Sequence, residues 1–201
     1  MLLKKNSMLR LTLVRLRRNH LAMIGLAIVL TLIFVAVFAD YIAPFKYSRQ
    51  HLRETLQAPN AKYLLGTDEF GRDVLSRLIY GARVSLQVGL VAVSISLLVG
   101  GSLGAIAGFY GGKLDNLIMR LMDVQLAVPS TLLAIAIAAA LGPGLFNLMI
   151  AVGISSVPRF ARLLRASVLS VKEMEFVEAA RAMGASDFRI IVLHILPNCC
   201  A

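Results

Sequence analysis

Three runs without a single charged residue decide what this chain can fold into: residues 21–39, 84–112 and 124–158, which are 19, 29 and 35 residues long. A helix rising about 1.5 Å per residue needs roughly 20 apolar residues to cross the hydrocarbon of a bilayer. The first run is one span, and a cleaved signal peptide is the competing reading. The run is longer than a usual apolar signal core and no small-x-small cleavage site follows, so it reads as a retained helix. The second run carries Gly89, Gly100, Gly101, Gly104 and Gly108. Glycines three and four apart lay bare backbone along one helix face, which suits close packing in lipid. The third run is too long for one span, and "LGPGLFN" divides it, because Pro143 between two glycines is a strong turn signal. The expectation is a helix over 119–141 and another over 145–164, kinked near Pro158.

Composition agrees with bilayer as the solvent. Of 201 residues, 58% are hydrophobic and 16% charged, more apolar surface than a soluble domain of this size can bury. The net charge of +10 does not point to nucleic acid, because Lys and Arg sit in blocks beside the apolar runs and no stretch interleaves them with aromatics. Residues 1–20 hold six basic and no acidic residues, which places them in the cytoplasm by the positive-inside rule. The organisation expected is a basic cytoplasmic terminus at 1–20, a first membrane helix at 21–39 and an extracytoplasmic segment at 40–83. A core follows at 84–201, with three membrane helices, a cytoplasmic loop at 165–198 and the start of a further helix. The seven basic residues of 40–83 do not fit the charge rule cleanly, so the terminus carries the orientation. Cys199 and Cys200 are adjacent, a spacing that strains a mutual bridge and matches no zinc pattern. No metal site is expected, since His20, His51 and His194 lie far apart.

The loop at 165–198 is polar in a greasy chain. Ser170 followed by Glu173 has the form of a capping box, and Glu173, Glu175 and Glu178 suit a helix N-terminus. Gly184 suits its end. A helix over 171–183 is expected, with Phe176, Val177, Ala180 and Met183 on one face and Glu178 and Arg181 aside. Ser186 and Asp187 can cap a second helix that leads back through Pro197. A short face with small residues suits a groove on another protein or lipid headgroups, and the pattern leaves both open. Two smaller features read as ion pairs. Arg120 and Asp123, three apart, are expected to pair. In "GTDEFGRD", at 66–73, the acids lack calcium-loop spacing, and Asp68 and Asp73 are expected to pair with Arg72, Arg77 or Arg83 in a structured turn. No ionisable residue lies within 124–158, whereas an ion-coupled carrier usually keeps one near the midplane.

"EAARAMGASDFRIIVLHILP" resembles the EAA loop of ABC-importer permeases, on Glu178, Ala179, Ala180, Gly184, Leu196 and Pro197. His194 departs from the general pattern, and "HILPN" resembles the dipeptide, oligopeptide and nickel branch. "LGTDEFGRDVLSRLIYGARVSL" is similar to the signature before the second span of that branch's C-type permeases, on Gly66, Thr67, Asp68, Gly71, Arg72 and Asp73. The resemblance implies an all-α polytopic membrane protein with the helical core of a type I ABC importer, incomplete at its C-terminal side.

It also implies a non-catalytic permease subunit in the cell inner membrane. Such a subunit moves peptides or a related solute with a second permease subunit as heterodimer partner. Two cytoplasmic ATPase subunits would use ATP and Mg, with no cofactor in this chain, and an extracytoplasmic solute-binding protein would deliver cargo. The EAA helix would be the coupling helix that sits in an ATPase cleft. The branch includes permeases for peptides, glutathione, nickel chelates and opines, so the solute is not specified. Relatives continue past "HILPN" with two more membrane helices, which makes a truncated, transport-inactive permease that still docks partners the alternative. An ion-coupled secondary carrier is the more distant one.

Overall fold

The computed structural model describes residues 19–199, so most of the basic terminus and Cys200 lie outside the described residues. The regular structure among these residues is helical, with no strand and one isolated bridge, between Thr67 and Asp73. The chain divides into two compact units, Met1–Gln87 and Val88–Ala201.

In the first unit, α1 (His20–Val37) starts where Asn19 Oδ1 accepts from Ala22 N–H at 3.2 Å, the usual Asn cap. Ala36 is its only buried residue, and Ile24, Ile28, Leu30 and Phe34 are all more than half exposed. An isolated helix so apolar is stable only where lipid replaces water around it. One turn, α2 (Ala39–Ile42), follows, and then a loop without regular structure runs to α3 (Val74–Ile95).

In the second unit, a π-helical turn (Ser96–Gly100) joins the end of α3 to α4 (Gly101–Tyr110) without a break. Ser96 Oγ donates within 2.8 Å of Ala92 O and 2.7 Å of Gly153 O. This hydroxyl supports the widened turn and ties it to the neighbouring helix α7 (Leu145–Val171). The glycine spacing is used as its pattern predicts. A methyl group on Gly100 would run into the Val157 carbonyl, one on Gly104 into the Ala161 carbonyl, and one on Gly108 into Val168 Cβ at 3.0 Å. The α4 and α7 backbones therefore touch almost directly.

The third uncharged run departs from expectation. Helix α5 (Gly112–Ala127) and helix α6 (Ser130–Leu141) meet at 89°, where a single helix over 119–141 was expected. Pro129 is the cause, because it has no N–H to donate and steers the residue before it out of the helical region; Val128 is extended, with φ −93° and ψ 131°. Helix α7 runs on through Pro158 to Val171, beyond the expected end at 164. Among the described residues, two helical segments are long and apolar enough to cross a bilayer, His20–Val37 and Val74–Tyr110, or three if the bent pair is one span. Helix α7 offers residues 145–158 before Arg159, about 21 Å of rise.

Candidate functional site: the polar loop and the outer turn

After Val171 the helix stops, and α8 (Glu175–Ala182) begins at Met174 with no side-chain cap. The Ser170–Glu173 capping box does not form: Ser170 is still inside α7, where its N–H is already in the helical ladder. Glu175 and Glu178 stand in the first turn of α8 and Arg181 in its last, each at the end its charge favours. Gly184 ends the helix at φ +79°. Its N–H donates to Arg181 O at 3.0 Å, and the N–H of Ala185 reaches Ala180 O at 3.1 Å. That pair of bonds is the Schellman arrangement, for which glycine has no Cβ penalty.

Val177 (1% exposed) and Ala180 (2%) are packed with Ala105, Phe109, Val168, Val171, Ile190 and Ile195. The face with the small residues is thus applied to the chain's own core. The opposite face is open: Glu175, Glu178, Ala179, Ala182 and Met183 are exposed. Arg181 lies 5.7 Å from the Phe109 ring. Ser186 precedes α9 (Asp187–Arg189) without a side-chain cap. A second π-helical stretch (Ile190–Ile195) and α10 (Leu196–Cys199) follow. Of the six residues singled out, Glu178, Ala179, Gly184 and Pro197 are exposed, Leu196 is half-buried against the core, and Ala180 faces inward.

Two residues that the sequence reading passed over tie α7 to α5. Arg165 on α7 grips Asp115 on α5 with both nitrogens, Nε to Oδ1 at 2.5 Å and Nη2 to Oδ2 at 2.6 Å. Such a fork is directional as well as strong. An acid early in a helix within a greasy chain, together with Arg159, Arg162 and Arg165 three apart, was the available signal. Asp123 pairs with Arg162 at 2.5 Å rather than with Arg120, since α7 runs beside α5 and offers the better-placed cation.

The second group, Gly66 to Asp73, lies in the first unit. Gly66 (φ +73°) and Gly71 (φ +68°) adopt left-handed backbone, and a Cβ there would strike the carbonyls of Gln57 and His51. Thr67 Oγ1 donates to Glu54 O at 2.6 Å and accepts from Gln57 N–H at 2.9 Å. Asp68 accepts from the Phe70 and Arg72 N–H groups at 2.9 Å each, from Arg72 Nε at 2.7 Å and from Arg77 Nη1 at 2.5 Å. Burial pushes its carboxyl up, but the Arg72 N–H, the Arg72 guanidinium and the Phe70 N–H outweigh it and hold the pKa down at about 2.

Asp73 makes no such ion pair. It caps α3 instead, accepting from Ser76 N–H at 2.8 Å and from Ser76 Oγ at 2.6 Å. Lys62, then Tyr63, hydrogen-bond Glu54 and lower its pKa, and Tyr63 is itself buried. All six signature residues therefore hold this loop in one shape.

Sequence comparison places the molecule. The family model described as "binding-protein-dependent transport system inner membrane component" matches residues 100–200. This chain belongs to that family. A second model, the N-terminal transmembrane domain of oligopeptide transport permease C, matches residues 7–59.

Among curated relatives of this inner-membrane family, the dipeptide transport system permease protein of Alkalihalophilus pseudofirmus is 50% identical over 92% of the chain and 60% of its own length. The di/tripeptide permease protein of Pseudomonas aeruginosa is 48% identical over 91% of the chain and 62% of its length. A glutathione transport system permease protein of Escherichia coli is 46% identical over 92% and 61%. The chain thus spans about three fifths of the length of these relatives. It is an all-α inner-membrane protein of the permease family.

Proposed function

We propose that the chain is a permease subunit of an ATP-driven importer for peptides or a related small solute. The loop at 165–198 would be its contact with a cytoplasmic ATPase, the N-terminus lying on the same side. One observation carries the reading: α8 is locked by Val177 and Ala180 onto a core shared with α4 and α7, while its Glu178, Ala179 and Met183 face is open. A helix held on one side by membrane-helix ends and free on the other can transmit a rigid displacement. Relatives named for dipeptide and glutathione transport support the solute class. ATP and Mg would be used by the ATPase subunits. A second permease subunit and an extracytoplasmic binding protein would complete the assembly.

The test is co-purification of ATPase subunits with the complete permease pair. Gly184→Leu is expected to lose the ATPase while membrane insertion persists, because Leu at φ +79° unwinds the end of α8. Glu178→Ala, exposed and free of core contacts, is expected to weaken retention without altering melting. Retention unchanged in both variants overturns the coupling assignment.

A further inference from the structure

The first unit contains a cavity of about 590 Å³ that neither the turn nor the loop accounts for; Asp40, Lys46, Tyr47, Arg77, Tyr80 and Arg83 are among its lining residues. It lies at the C-terminal end of α1. Arg83 Nε donates to Ala36 O at 2.9 Å, and its Nη2 donates to Val37 O at 3.3 Å and Asp40 Oδ2 at 3.1 Å. Tyr80 Oη donates to the other Asp40 oxygen at 2.8 Å.

Each oxygen of the cavity's single carboxylate thus accepts from its own wall. Arg83 is taken up by Asp40 and Arg77 by Asp68 of the turn, so Lys46 is the uncompensated cation of the cavity. Lys46 is exposed and makes no ion pair or hydrogen bond through its ammonium among the described residues. Tyr47 and Tyr80 stack obliquely beside it, with ring centroids 4.9 Å apart. Beside the cavity, Val37, whose carbonyl accepts from Arg83, and the lining residue Val84 leave apolar surface open.

Lysine, arginine and tyrosine at the end of an apolar helix form the chemistry of the headgroup level of a bilayer. An ammonium such as that of Lys46 holds phosphate oxygens as a point charge. We infer that this cavity seats the phosphate of an anionic phospholipid, with the acyl chains lying along the exposed side of α1. A soluble anion or a peptide carboxylate would match the charge but not the open apolar surface beside it.

The experiment uses the full chain in nanodiscs of equal phosphatidylglycerol and phosphatidylcholine, with the lipid retained after detergent extraction counted by mass spectrometry. The wild type is expected to retain phosphatidylglycerol in excess. Lys46→Gln should lower that excess about fivefold, the worth of one cation near a lipid surface, with unchanged melting. Arg49→Gln removes an equal charge from the same segment outside the cavity and should leave the excess intact. Equal losses in the two variants would show only diffuse attraction and overturn the assignment. Absence of any excess would overturn it too, as would displacement of the lipid by inorganic phosphate or by a short acidic peptide, either of which would make this a site for soluble anions.

Discussion

Replacing Gly104 by alanine tests the packing that holds the second unit together. Helix propensity alone favours the change by about 1 kcal/mol. The structure says the opposite, because the new methyl would be driven into the Ala161 carbonyl, a backbone atom of α7 that cannot rotate away. Gly89 is the matched control: it lies in α3, is exposed, and has nothing within 4 Å of where a Cβ would stand. The propensity gain is common to both sites, so the difference between the variants isolates the cost of pushing α4 and α7 apart. Overpacking typically costs about 1–3 kcal/mol. For a chain of this size, about 2 kcal/mol is a separation of roughly 4–8 °C in melting temperature. Thermal unfolding in one detergent, followed by circular dichroism, reads it directly. Gly89→Ala should melt at or slightly above the wild type and Gly104→Ala several degrees below. Equal melting of the two variants would refute the argument that the glycine ladder exists for backbone contact.

The other expectations are read in the same way. Asp115→Asn leaves the partly buried Arg165 guanidinium without its anion and should cost about 1–3 kcal/mol. Arg162→Gln breaks an exposed pair and should cost under about 1 kcal/mol; comparable losses would contradict the ranking. Asp68 has its carboxyl held at about 2 against an ordinary 3.8. That depression stabilises the loop fully above about pH 4 and is lost as pH falls toward 2, a total of about 2 kcal/mol. Protease resistance of the loop should decline over that window in the wild type, with no such decline in Asp68→Asn. Gly184→Ala should destabilise by about 1 kcal/mol through its left-handed backbone, with Gly184→Asn milder; a neutral Ala variant would mean that the turn is not required.

The features legible in the sequence were those written locally. The apolar runs announce helices, the Gly100–Gly104–Gly108 spacing announces a close neighbour, and the glycines of "GTDEFGRD" announce a turn. The features missed depend on partners distant along the chain. Pro129 sits in an uncharged run, so the eye passes over it, yet it turns the chain by 89°. Arg120 is three residues from Asp123, but Arg162, thirty-nine residues on, holds it. Ser170 and Glu173 have capping-box spacing, but a helix that packs well against α4 continues through Ser170 and removes the need for a cap. The small residues of α8 were legible as a contact face, but spacing cannot say whether the contact is internal. Val177 and Ala180 show that it is, which leaves Glu178, Ala179 and Met183 on the exposed side.

The claim on which the functional account rests is that this outward face lies inside the cell against another protein. A cysteine placed at Met183, which is 81% exposed, in a chain whose Cys199 and Cys200 are alanine, can be probed with a membrane-impermeant maleimide. The account predicts no labelling in intact cells, labelling once the membrane is opened, and protection when the ATPase subunits are co-expressed. Labelling in intact cells would contradict it.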